Sequence, residues 1–132
     1  WLHTNKTATC IRDHPCHDYP LQAGLWGAHV GQFQKLITPN TMRQLLTSYN
    51  LNNGYLTDQL FLQDKVWPLV QNDIYCSDSY YCTKFSGSHP FPVSRSKGEH
   101  CGGVYDTNDI LRESDAAILL RTPEPPSCRP QR

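Results

Sequence analysis

Apolar positions in this chain recur at helical spacing in one stretch, form a broad apolar side in a second, and give way to β-forming residues in others. From Pro39 to Tyr49, Met42, Leu45, Leu46 and Tyr49 follow a period near 3.6. Thr38 stands where an N-cap belongs, and Pro39 suits the first helical position. Asn52-Asn53-Gly54 then ends the helix. A second helix is predicted from Thr57 to about Val66, with Leu60, Phe61 and Leu62 as its core side. It stops before Pro68, which lacks the amide hydrogen a helix interior needs. Thr7–Ile11, Asp73–Cys76 and Gly103–Tyr105 read as short strands. Asp109–Leu120 reads either as one helix or as a short helix followed by a strand.

The expected fold class is α/β or α+β: a small domain over residues 1–121, with a short sheet, two or three helices and about half the chain in loops. Thr122-Pro123-Glu124-Pro125-Pro126 breaks regular structure and opens a proline-rich tail, 122–132, that Cys128 can tether. No internal repeat is present.

Composition narrows the function classes. No apolar run approaches the roughly 20 residues of a membrane-spanning helix. Twelve basic residues balance twelve acidic ones, and no polybasic block occurs, which argues against a nucleic-acid partner. The six cysteines, Cys10, Cys16, Cys76, Cys82, Cys101 and Cys128, are even in number and lack CxxC spacing. They read as a disulfide framework in a secreted chain. Short-loop closure favours Cys10–Cys16 and Cys76–Cys82, leaving Cys101–Cys128 to hold the tail. Asn5-Lys6-Thr7 is a glycosylation sequon, and the chain opens on Trp1, as expected if a signal peptide has been removed.

Ionisable residues are densest from Arg12 to Tyr19, and Ala23-Gly24-Leu25-Trp26-Gly27 frames an indole with small residues. This segment reads as a ligand rim, in which Trp26 offers a ring face. His14 and His17 with Asp13 and Asp18 raise a metal site. An H-x-x-H pair in a proline-containing loop does not face one way, so hydrogen bonds to loop backbone are the favoured role, and no metal or cofactor is expected. No G-x-S-x-G elbow and no phosphate-cradling glycine loop occurs.

Four blocks come in a telling order: Arg12-Asp13-His14-Pro15-x-His17 with Ala23–Gly27; Tyr55-x-x-Asp58-Gln59-x-Phe61-Leu62 with Val66–Leu69; Ser77–Cys82; and Phe91–Arg95 before Gly102–Asp106. Their series resembles nucleotide-sugar-transferase-like proteins of the GT-A type, later half only. The resemblance implies a piece of an α/β sugar-transferase fold in which Asp58 and Gln59 face a sugar-binding cleft. No D-x-D motif is present to hold a metal against a donor diphosphate. The expectation is therefore a secreted, non-catalytic, lectin-like protein. Its ligand residues would be Asp13, His17, Trp26, Asp58 and Gln59, its partners glycans or glycoproteins, and a homo-oligomer would supply avidity. The alternatives are a disulfide-stapled extracellular structural or interaction protein, and a remnant transferase acting with another chain.

Overall fold

A computed structural model of the chain describes residues 4–49, 54–92 and 104–130. A four-stranded mixed sheet packs one face against a helical layer. The strands are β1 (Ala8–Arg12), β2 (Trp26–Ala28), β3 (Ile74–Asp78) and β4 (Ser88–Pro90), in the order β2-β1-β3-β4. β2 runs antiparallel to β1, whereas β3 lies parallel to both β1 and β4. A parallel neighbour requires a crossover. Here it is made by α1 (Val30–Leu36), α2 (Pro39–Ser48), α3 (Thr57–Phe61) and α4 (Trp67–Val70). The α/β class expected from the sequence is therefore the class observed.

One ladder of paired residues explains the centre of the sheet. Ala8 faces Ile74, Cys10 faces Cys76, and Arg12 faces Asp78, all buried on the helix-covered side. The first pair is apolar, the second is a disulfide and the third an ion pair. Arg12 Nε donates to Asp78 Oδ2 at 2.6 Å, while its other nitrogens reach Pro20 O, Ser88 Oγ and Cys10 Sγ. Its Cζ also lies 4.9 Å from the Phe85 ring centre. A guanidinium out of water needs every donor answered, and this one joins β1, β3, β4 and the Pro20 loop. Beneath the sheet, Leu21, Ile37, Phe61, Leu62, Val66 and Val70 complete the core, with Trp26, Phe33, Met42 and Leu45 leaning on it.

α2 forms over almost the stretch its pattern predicts. Thr38 Oγ1 accepts the Thr41 amide hydrogen at 3.1 Å, and Pro39 opens the helix. The predicted terminator Asn52-Asn53 lies outside the described residues. The next helix does not stop before Pro68. A π turn, Leu62–Val66, follows α3, and Trp67 N–H bonds to Leu62 O five residues back. α4 then continues through Pro68 to Val70. The wider turn lets the ring pass where a regular helix would set it against the carbonyl four residues earlier.

Other expectations are corrected. Two short strands, β2 and β4, and the helix α1 carried no sequence prediction, and α3 to α4 form one continuous stretch. With α2 and α5 (Glu113–Arg121), the described residues contain four helical stretches rather than two or three. Asp109–Leu120 resolves as a turn leading into α5, without a following strand. Gly103 lies outside the described residues, and Tyr105 makes only an isolated bridge to Leu111.

The favoured cysteine pairing is also overturned. Cys10 bonds Cys76 and Cys82 bonds Cys128, while Cys16 is exposed with a free thiol; Cys101 lies outside the described residues. Short-loop closure was a local criterion. Strand register brings Cys10 and Cys76 to a Cα separation of 4.4 Å, within bonding range. Cys128, in a short 3-10 turn (Pro126–Cys128), is buried against Cys82, which fixes the proline-rich segment to the body.

Candidate functional site

The dipeptide Asp58-Gln59 divides its work between two directions. In the first turn of α3, Gln59 points inward and is buried. Its Oε1 accepts the Ala23 amide hydrogen at 3.0 Å, and its Nε2 donates to Leu21 O. One acceptor and one donor direction of the amide are thus taken by the loop before β2. Gln59 is corrected from a ligand contact to a clip, one that holds Ala23 in place.

Asp58 points the other way. Its carboxylate is exposed, and Oδ1 accepts the Gln59 amide hydrogen at 2.8 Å. No side-chain cation pairs with it among the described residues. It stands at an open cavity of about 390 Å³ lined by Ala23, Leu46, Thr57, Asp58, Phe61 and Leu62. That volume falls within the roughly 300–1,000 Å³ span of small-molecule sites. Asp58, Phe61 and Leu62 share a helix face because they are spaced i, i+3, i+4. α2 contributes Leu46, and the clipped loop contributes Ala23. Thr57 Oγ1 donates to Gly54 O at 2.7 Å, which directs its lone pairs toward any incoming donor. Among the described residues the lining is therefore largely apolar, with polar side chains at Asp58 and Thr57.

Asp13, His17 and Trp26 do not join this cavity. Trp26 pairs across β1 with Cys10, so its indole turns to the core side and leans on Phe33, with ring centres 5.9 Å apart. Asp13 is buried, and its Oδ1 accepts the Ser79 hydroxyl at 2.8 Å, joining the loops that follow β1 and β3. These three are corrected as members of the Asp58 site. Asp13 and His17 instead gather at the carboxyl ends of the parallel strands, the edge at which α/β sheets commonly present ligands.

At that edge the imidazoles of His14 and His17 lie 5.0 Å apart, tilted by 40°. His14 Nδ1 accepts the Cys16 amide hydrogen at 3.1 Å, the backbone role expected of this loop. Burial, and then the neighbouring His14, hold the His17 pKa below the ordinary imidazole value, against an opposing pull from Asp115. Its buried Nδ1 meets no hydrogen-bond partner among the described residues. Tyr81 donates from its hydroxyl to Pro15 O, and Asp18 pairs with Lys84 on the surface. Asp78, Cys82 and Cys128 come together in a ligand-like cluster, yet the two sulfurs are bonded to one another and the carboxylate belongs to Arg12. That group is a structural knot.

Phe61, Leu62, Leu46, Thr57 and Ala23 were absent from the predicted ligand set. The helical spacing from Asp58 marks Phe61 and Leu62, while nothing local marks Leu46 or Ala23. Compared with protein-family models, curated proteins and solved structures, the chain finds no match.

Proposed function

We propose that this chain is an extracellular, non-catalytic carbohydrate-binding protein whose site is the cavity beside Asp58. One observation carries the reading. A carboxylate with no side-chain cation partner among the described residues lines an open, largely apolar cavity together with Phe61 and Leu62. A pyranose offers hydroxyl donors on its rim and C–H groups on its face, which complement an acceptor above apolar carbon. The two disulfides, the exposed Asn5 of the sequon and the absence of a helix long and apolar enough to span a membrane among the described residues support an extracellular setting.

One monosaccharide in an open cleft binds weakly, so a homo-oligomer or multivalent glycan would supply avidity. The test is saturation-transfer NMR against neutral monosaccharides at millimolar concentration, with disulfides intact. Asp58→Ala should weaken the signal at least tenfold without altering the melting temperature. Absence of saturation transfer from every sugar would remove the carbohydrate reading.

A second reading, an interaction protein, rests on the turn that precedes α5. Val104, Tyr105 and Ile110 are all exposed there, and none of them lines the Asp58 cavity. A protein partner covering that turn would leave binding unchanged in Asp58→Ala and lose it in Ile110→Asp.

A further inference from the structure

The glycosylation triplet Asn5-Lys6-Thr7 is divided by the fold into an open half and a closed half. Asn5 is exposed, whereas Thr7, just before β1, is buried. Thr7 Oγ1 donates to Asp73 Oδ2 at 2.6 Å, and the Thr7 amide hydrogen goes to the same oxygen, with N and O 3.2 Å apart. Lys6 Nζ lies 3.3 Å from the other carboxylate oxygen, Oδ1. From just after β2, the His29 amide donates to Thr7 O at 2.9 Å. Thr7 is thereby tied by its hydroxyl, its amide and its carbonyl. The hydroxyl bond is also the first cause that holds the Asp73 carboxyl below the ordinary carboxylate value, which keeps it an acceptor at neutral pH.

The clamp is anchored from both ends. Three residues beyond Thr7, Cys10 is bonded to Cys76, itself three residues beyond Asp73. Between them, Ala8 pairs with Ala28 on one side and Ile74 on the other. Drawing Thr7 away from Asp73 therefore means opening the start of β1 against both neighbouring strands and a disulfide.

A sequon requires Ser or Thr two residues after Asn, so the transferring enzyme must reach that residue as well as the amide. In the folded chain the amide is offered and the hydroxyl is withheld. In the growing chain both are free, because Asp73 is made 66 residues after Thr7. At about 5–20 residues per second that interval is on the order of 3–13 s.

We infer that Asn5 is an N-glycan acceptor open only before β1 pairs with β3, and that folding closes it by docking Thr7 on Asp73. In the transfer, Asn5 Nδ2 bonds to the anomeric carbon of a lipid-linked oligosaccharyl diphosphate. The bond from that carbon to the diphosphate oxygen breaks, the diphosphate leaves with the electron pair, and the amide nitrogen gives up one proton to solvent. The glycan then hangs from an exposed side chain and leaves the Thr7 clamp free to form. Asn5, Thr7 and Asp73 do not line the Asp58 cavity, so this inference is decided separately from the sugar-binding reading.

The experiment supplies purified oligosaccharyltransferase and a lipid-linked oligosaccharide to the full chain in two states. One is oxidised and folded; the other is reduced, cysteine-alkylated and unfolded. Mass spectrometry of the Asn5 peptide gives the rate. The unfolded chain should be modified and its Asn5→Gln variant should not. The folded chain should be slower by at least roughly tenfold, since modification must wait for local opening. Oxidised Asp73→Ala, with the Cys10–Cys76 linkage verified by peptide mapping, should be modified faster than the folded parent. Should that variant fail to fold, the two states of the parent chain still decide the question.

An unfolded chain that takes no glycan would overturn the acceptor site. Equal rates for the folded and unfolded chains would overturn its closure. A folded Asp73→Ala chain no faster than its parent would overturn the part given to the carboxylate.

Discussion

Arg12 and Asp78 are wholly buried, so their contribution depends on what remains when one is removed. Asp78 also accepts Tyr80 N–H at 2.9 Å, Tyr81 N–H at 2.7 Å and the Ser88 hydroxyl at 3.2 Å. Arg12→Met leaves the carboxylate with those three donors. Asp78→Leu strands a buried guanidinium and frees two backbone amides. Breaking a buried pair costs about 3–5 kcal/mol. Arg12→Met should fall at the lower end and Asp78→Leu at or beyond the upper end, as read by urea denaturation. Equal losses would mean that the backbone contacts of Asp78 contribute nothing. His17 adds a pH dependence whose sign follows from its depressed pKa. The unfolded imidazole takes up a proton near pH 6.5 while the folded one still resists it. The stability tied to neutral His17 is thus present above about pH 6.5 and lost as pH falls through the folded value. His17→Gln should flatten that decline in denaturation midpoints compared between pH 7.5 and 5.

Among the elements, β4 depends on a backbone shape available to few residues. Gly87 holds φ +68°, and its carbonyl accepts the Cys76 amide hydrogen at 2.8 Å, starting the pairing of β4 with β3. A Cβ at this position would lie 2.4 Å from Ile74 O, a backbone atom with little freedom to move. Gly87→Ala should therefore cost more than about 1 kcal/mol and release the β4 edge. Loss of hydrogen-exchange protection at the Cys76 amide is the local readout. Unchanged protection there would show that the glycine is dispensable. The α3–π–α4 stretch makes the complementary point, since the sequence located its start at Thr57 and its proline but misjudged its end. A proline forbids one hydrogen bond, and whether the chain then breaks or widens by a turn depends on what packs around it. Here Val66 and Val70 are both buried in the core, which holds the two sides of the π turn in line.

At the scale of the molecule, the disulfides join residues 66 and 46 positions apart. In the chain-entropy account such closures stabilise by about 4 kcal/mol each, against about 2 kcal/mol for a loop as short as Cys10 to Cys16. Non-reducing peptide mapping should return Cys10–Cys76 and Cys82–Cys128 linkages, with Cys16 alkylated in the native protein. A Cys10–Cys16 peptide would contradict the β1–β3 register itself. The same register explains what was legible beforehand. Thr38, Pro39 and the spacing of Met42, Leu45 and Tyr49 specify α2 through contacts within a few residues, and the β-forming residues of Thr7–Ile11 and the short run Asp73–Cys76 located the two central strands. The mixed α/β class follows from those local signals. Cysteine partners, the strands β2 and β4, the inward turn of Gln59 and the joining of Leu46 and Ala23 to Asp58 were decided only by the tertiary structure. Each depends on groups far apart in the chain, and the free energy that selects them comes from burial and pairing after the chain has folded back on itself. Periodicity along the sequence carries no record of that.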